Sequence, residues 1–206
     1  DTFADLLNGA GSNITINFPQ QINATIQGNN SQGIINVNGT TVTTGANYTF
    51  GAGVWFVNYS VVGNDNYSSN ESYLYATINQ ASSEVNVTLN HTEDNVTIVQ
   101  GDSIYLNCST ITGDAGAILT LYNNDTIIAG GTSPLENLTT FSTIGMFNVS
   151  CLYSDSQNYT LDWENYYVNV TASGDSCGTL TESLTLSNDV SSTGTCFTIG
   201  AANVVL

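Results

Sequence analysis

The sequence predicts an all-β protein: two tandem copies of one sandwich domain, followed by a short third segment. Three observations carry that prediction. Apolar and polar residues alternate in short runs, turn signals recur every 8–12 residues, and a stretch of about ninety residues repeats along the chain. A length of 206 residues accommodates one large or two small domains.

The repeat organises everything else. Gly53-x-Trp55-x-Val57-x-Tyr59-x-Val61 matches Gly145-x-Phe147-x-Val149-x-Cys151-x-Tyr153 at an offset of 92. The same offset carries Asn66-Tyr67-Ser68 onto Asn158-Tyr159-Thr160 and Tyr75 onto Tyr167. Upstream it carries Ile35 onto Ile127, Gly39-Thr40 onto Gly131-Thr132, and Ile16 onto Cys108. Trp55, Val57, Tyr59 and Val61 alternate with one another and read as core rather than as a sugar-binding face.

The individual elements are short. Alternation marks strands at Val85/Val87/Leu89, Ile104/Leu106/Cys108 and Tyr166/Val168/Val170. Turns fall at Gly28-Asn29-Asn30, Asn38-Gly39, Gly63-Asn64-Asp65, Gly113-Asp114 and Asn123-Asn124-Asp125. No segment has helical periodicity over a helix length. Two such repeats, each of about seven short strands, point to tandem immunoglobulin-like β-sandwiches. The boundaries are 1–80 for the first domain, 81–172 for the second, and 173–206 for a disulfide-closed β segment.

At an ungapped offset of 92 the second copy has two strand-like runs before Cys108, Glu84–Leu89 and Asn95–Val99. The first copy has only Phe3–Leu7, the counterpart of the second run. This register predicts that the first domain lacks its first strand, exposing a groove and unpaired backbone groups. Donation of a strand from a neighbouring copy would fill it and give a head-to-tail polymer. A long multidomain chain of which this is one piece is the other explanation.

Seventeen Asn-x-Ser/Thr triplets occur: Asn13, Asn23, Asn29, Asn38, Asn47, Asn58, Asn66, Asn70, Asn86, Asn90, Asn95, Asn107, Asn124, Asn137, Asn148, Asn158 and Asn169. Twenty-seven Asn among 49 Ser and Thr in 206 residues would produce roughly six by chance. The excess predicts N-glycosylation and an extracellular location. In 12 of the 17 the middle residue is apolar, Tyr or Cys, so along a strand it faces the core while Asn and Ser/Thr share the outer face.

The four cysteines, Cys108, Cys151, Cys177 and Cys196, are an even number and read as two disulfides. Cys108 and Cys151 fall where the two sheets of a sandwich would be pinned, with Ile16 and Tyr59 in those places in the first copy. Cys177 and Cys196 would close a short loop.

Composition excludes whole classes of function. There is no Lys or Arg, and the formal charge is −17. Nucleic acid is therefore excluded as a partner, because phosphate neutralisation needs cations. No apolar run approaches a membrane span. His91 is the only histidine; it lies in a linker-like turn inside the sequon Asn90-His91-Thr92 and reads as a solvated surface residue, so no Ser-His-Asp arrangement can be defended around it, and no Lys is present for a Schiff base. The acid pairs Asp162/Glu164 and Glu93/Asp94 could in principle serve glycoside hydrolysis, but the repeat places Asn70 and Ser72 opposite the first pair. No enzyme activity and no cofactor are expected. The turns Asn64-Asp65-Asn66 and Asp155-Ser156-Gln157-Asn158 are the best candidates for Ca²⁺, yet they supply few charges for an ion needing six to eight oxygens.

Taken with the sequons, residues 1–172 resemble the tandem immunoglobulin-like repeats of prokaryotic, particularly archaeal, surface glycoproteins. They depart from antibody domains: no Trp lies between Cys108 and Cys151, and Val149 stands where the corner Tyr would be. The run from Cys177 to Leu186, with Thr195 to Leu206, resembles the opening rungs of a right-handed parallel β-helix. The density of sequons, the tandem sandwich and the incomplete ends point to a structural subunit of a glycosylated extracellular filament, sheath or surface layer, its partners being copies of itself in a head-to-tail polymer. An adhesin stalk or cell-binding module is the alternative.

Overall fold

The computed structural model describes residues 3–28, 33–172, 177–186, 190 and 194–205. They form eighteen strands and no helix. The first eight are β1 (Phe3–Leu7), β2 (Ile14–Asn17), β3 (Ile22–Gly28), β4 (Gly33–Val37), β5 (Thr40–Val42), β6 (Asn47–Tyr48), β7 (Gly53–Val61) and β8 (Asn70–Asn79). They build a three-stranded sheet, β1-β3-β6, facing a five-stranded sheet, β2-β8-β7-β4-β5. The next eight repeat the plan: β9 (Glu84–Leu89), β10 (Val96–Val99), β11 (Ser103–Thr112), β12 (Leu119–Asn123), β13 (Thr126–Gly131), β14 (Leu135–Thr140), β15 (Gly145–Tyr153) and β16 (Asp162–Thr171). Their sheets are β14-β11-β9 and β10-β16-β15-β12-β13. The fold is two tandem β-sandwiches.

Each sandwich closes over its own core. Leu7, Ile22, Ala24, Ile35, Val37, Val57, Tyr59, Ala76 and Ile78 fill the first. Val85, Val87, Leu89, Leu106, Leu119, Leu121, Val149, Val168 and Val170 fill the second, around the Cys108–Cys151 disulfide. The alternation expected for Val57/Tyr59/Val61, Val85/Val87/Leu89, Ile104/Leu106/Cys108 and Val168/Val170 is what the structure shows, every one of these side chains being buried.

The strand pairings correct the repeat register. Leu7 pairs with Ala24 as Leu89 pairs with Leu106, an offset of 82. Asn8 donates its N–H to the Asn23 carbonyl as Asn90 does to that of Tyr105, both at 2.7–2.8 Å, and both Asn have positive φ. Ile35 sits against Tyr59 as Leu121 sits against Cys151, an offset of 86 for the shorter partner strand. Only from Gly53 and Gly145 onward does 92 hold. The second domain carries extra residues in two places between these blocks, and a single ungapped offset hides them.

Two expectations fall with that offset. The first domain does not lack its first strand: β1 pairs antiparallel with β3 as β9 does with β11, and β2 pairs in parallel with β8 as β10 does with β16. The place of Cys108 is taken by Ile26 rather than Ile16, since Ile26 lies opposite Asp5 as Cys108 lies opposite Val87. Similarly, Asn38-Gly39 corresponds to Asn124-Asp125. Both pairs have positive φ at both residues, the conformation that a two-residue hairpin requires.

The domains meet at a small polar joint. The Ala81 N–H donates to the Asn158 carbonyl and the Thr160 N–H to that of Ala81, each at 2.9 Å. Gln80 Nε2 reaches Asp155 Oδ1 at 3.0 Å and the Ser156 carbonyl at 2.6 Å. Phe18 meets the edge of the Tyr159 ring at a centroid distance of 5.4 Å. Beyond the second domain, Cys177–Cys196 closes on a two-stranded parallel sheet, β17 (Gly178–Leu180) with β18 (Phe197–Ile199). Among the described residues of this segment that is one parallel pair.

Candidate glycan-bearing surface

Alternation puts the sequon asparagines of the large sheets on their outer faces, and there four of them take one repeated geometry. Asn13 stands beside Tyr75, and Asn38 beside Phe56, on either flank of the first domain's large sheet. Asn13 Oδ1 accepts the Tyr75 N–H at 2.9 Å, and Asn38 Oδ1 accepts the Phe56 N–H at 2.9 Å. The second domain repeats both contacts. Asn95 Oδ1 accepts the Tyr167 N–H at 2.7 Å and Asn124 Oδ1 accepts the Asn148 N–H at 2.8 Å. In all four the side chain is exposed, the amide oxygen is held by backbone, and Nδ2 has no partner among the described residues. An asparagine joined to sugar through Nδ2 keeps its Oδ1, so this hydrogen bond and an N-linked glycan are compatible.

The remaining sequons differ in how much of the amide is available. Asn47, Asn66, Asn70, Asn90 and Asn169 are also exposed. Asn107 is half-buried. Asn23 commits both amide hydrogens, to the Gly45 carbonyl at 2.7 Å and Asn47 Oδ1 at 2.9 Å. Asn58 and Asn86 each donate from Nδ2 to a glutamate, Glu71 and Glu93, at 2.6 Å. Asn158 lies in the joint, its Oδ1 accepting the Ala52 N–H at 3.1 Å while Nδ2 donates to Asp114 at 3.3 Å. Asn148 is half-buried and its Oδ1 has no partner. Asn29 lies outside the described residues.

Asn137 breaks the alternation rule. It is half-buried, it donates to the Ile128 carbonyl at 3.3 Å, and Thr139 donates to its Oδ1 at 2.8 Å. The apolar middle residue Leu138 is instead 58% exposed. The pairing of β14 with β11 sets this phase, and the triplet itself carries no sign of it.

The acid pair Asp162/Glu164 has a structural task. Asp162 Oδ2 accepts the Val85 N–H at 3.0 Å and Glu164 Oε2 accepts the Val87 N–H at 2.7 Å. Both N–H groups lie on the open side of edge strand β9, so the carboxylates satisfy groups that would otherwise be free to pair with another chain. In the candidate cation turns, Asn64 Oδ1 accepts the N–H groups of Asn66 and Tyr67, at 2.9 and 3.0 Å. Among the described residues no group of three or more His, Cys, Asp or Glu could hold a metal ion, and no helix is long and apolar enough to cross a membrane. His91 sits exposed at a turn, its ring 6.0 Å from that of Tyr105.

One surface feature was missed from sequence. Phe56, Tyr73 and Tyr75, exposed by 36%, 61% and 39%, form a cluster on the outer face of the first domain. Their ring centroids lie 5.6–6.0 Å apart. The available signal was phase: these aromatics fall between the inward positions of β7 and β8, where polar residues are expected.

No protein-family model matches the chain, and no curated protein matches it. Solved structures of tandem β-sandwich proteins are similar. The fibronectin(III)-like modules of Clostridium thermocellum CbhA share 12% identity, covering 82% of this chain and 94% of theirs, with a TM-score of 0.36. The titin domains z1z2, solved in complex with telethonin, share 13% identity over 84% of this chain and 96% of theirs, with a TM-score of 0.40. The D1-D2 pair of Rst shares 9% identity over 82% and 100%, with a TM-score of 0.42.

Proposed function

We propose that the chain is an N-glycosylated, non-enzymatic structural unit of an extracellular filament or cell-surface assembly. The observation that carries this reading is the repeated geometry of Asn13, Asn38, Asn95 and Asn124. The same presentation of an available Nδ2 recurs at equivalent places in both domains. Two disulfides support an oxidising, extracellular setting. A coat of neutral sugar on the large sheets leaves the β1 edge and the sequon-free tail as bare protein, and there we place contacts between copies, by strand addition. No cofactor enters this reading.

Intact mass before and after deglycosylation, with site mapping, tests the first part. Asn13, Asn38, Asn95 and Asn124 should be occupied, and Asn23 and Asn158 bare. An unchanged mass overturns the reading. Sizing under native and denaturing conditions tests assembly: a ladder of non-covalent multimers supports it, and one covalent species at every condition sinks strand addition. A stalk or binding module is the second reading, favoured by the exposed Phe56/Tyr73/Tyr75 cluster. It requires those rings to take up a free saccharide or a cell surface.

A further inference from the structure

The aromatic cluster lies between two sequons on one line across the sheet. From flank to flank the outward residues run Asn13, Tyr75, Phe56, Asn38. Neighbouring strands are about 4.8 Å apart, so each asparagine attaches roughly one strand spacing from a ring. Tyr73, opposite Asn58, widens the platform by one more ring. Hydrogen bonds from the backbone N–H groups of Tyr75 and Phe56 to Asn13 Oδ1 and Asn38 Oδ1 tie each amide to the strand carrying the ring it adjoins.

We infer that glycans on Asn13 and Asn38 fold inward over Tyr75, Phe56 and Tyr73, laying the C–H face of their first sugars on the rings. This rests on the glycosylation proposed above. The physical warrant is that an aromatic face carries partial negative charge and attracts the weakly positive C–H bonds of a pyranose, while the sugar hydroxyls stay in water. An exposed apolar patch also needs a cover if the molecule is to stay dispersed. Within the chain no cation can supply one, since it holds no Lys or Arg. The second domain is a built-in control. Its equivalent line is Asn95, Tyr167, Asn148, Asn124, with Asn148 in the place of Phe56 and Asn165 in that of Tyr73, so it has sequons and the single exposed ring of Tyr167 in place of a three-ring cluster.

The test is NMR of the sugar C–H signals on the intact glycosylated chain, with occupancy mapped on the same sample. First-sugar protons at Asn13 and Asn38 should lie upfield, shifted by the rings, and those at Asn95 and Asn124 less so. The shift should be lost in Phe56→Thr/Tyr73→Thr/Tyr75→Thr and reduced in Tyr73→Thr alone, with occupancy unchanged. Asn13→Gln/Asn38→Gln should raise self-association, and Asn95→Gln/Asn124→Gln should not. Bare Asn13 and Asn38 defeat the glycosylation reading itself. Occupied sites with unshifted protons overturn the stacking while leaving glycosylation intact. Saturable binding of a free oligosaccharide to the rings of the glycosylated chain also overturns it, and favours the binding module.

Discussion

The two sandwiches share strand order and pairing, yet they are fastened differently. In the second, a disulfide crosses between the sheets, and two carboxylates satisfy the outward N–H groups of β9. In the first, Ile26 and Tyr59 occupy the cysteine positions, and the Tyr59 hydroxyl donates to the Leu6 carbonyl at 3.0 Å. Asn70 and Ser72 replace the two acids, Ser72 Oγ is buried with no partner, and among the described residues no side chain accepts the Asp5 N–H. One architecture thus tolerates a covalent staple or a hydrogen-bonded phenol at the same place. What it does not replace is the carboxylate cap, so among the described residues β1 is the less protected of the two edges.

The largest test of this contrast removes the staple. Cys108→Ala/Cys151→Ala should lower the stability of the second domain by about 4 kcal/mol, the chain-entropy value for a span of 43 residues. Calorimetry should show one transition falling sharply while the first domain's holds. Equal movement of both would mean that the sandwiches unfold as one unit.

Tyr59→Ala should cost the first domain roughly 3–5 kcal/mol through the cavity it leaves, and Tyr59→Phe about 1 kcal/mol through the lost bond to Leu6. Burial, and secondarily the Asp5 charge, raise the phenol well above the ordinary tyrosine value of 10.0. A raised folded-state value means that this contribution is complete below pH 10 and falls as the unfolded chain ionises above it. Tyr59→Phe should therefore flatten the alkaline loss of first-domain stability in a pH titration of its Tm.

Glu164→Ala leaves the outward Val87 N–H without its acceptor and should cost about 1–3 kcal/mol. It should also make the second domain's edge available for pairing, read as concentration-dependent association. The reverse exchange, Ser72→Glu, should cap β1 and weaken association of the native chain. If association is unchanged, β1 is not the joining edge.

The smallest expected effect is at the joint. A Cβ at Gly51 would approach Gln157 Nε2 to 2.7 Å and Asn158 Oδ1 to 2.9 Å. Gly51→Ala should broaden the interdomain distance distribution in small-angle scattering while changing either domain's Tm little. A lowered Tm in the first domain would show that the joint supports folding as well as orientation.

The reading from sequence succeeded where periodicity and core coincide. Val57/Tyr59/Val61 and Val149/Cys151/Tyr153 are long central strands buried on one face, so residue pattern and structure express the same constraint. It failed where pairing across the molecule decides. Ile16 was matched to Cys108 because loop insertions shift the register without altering any local pattern. Asp162 and Glu164 looked like a potential acid pair, and only the approach of β9 shows what they hold. Asn137 has a sequon identical in form to its neighbours and faces the other way.

The sequence by itself determined the fold class, the tandem, the two disulfides and the absence of cationic chemistry. Each follows from residue type and period, which are local. Tertiary structure alone decided which strand is an open edge, which asparagine amides are free, and that Phe56 meets Tyr73 and Tyr75. Those are properties of strand register, set by distant segments packing together, and no short window of sequence contains them.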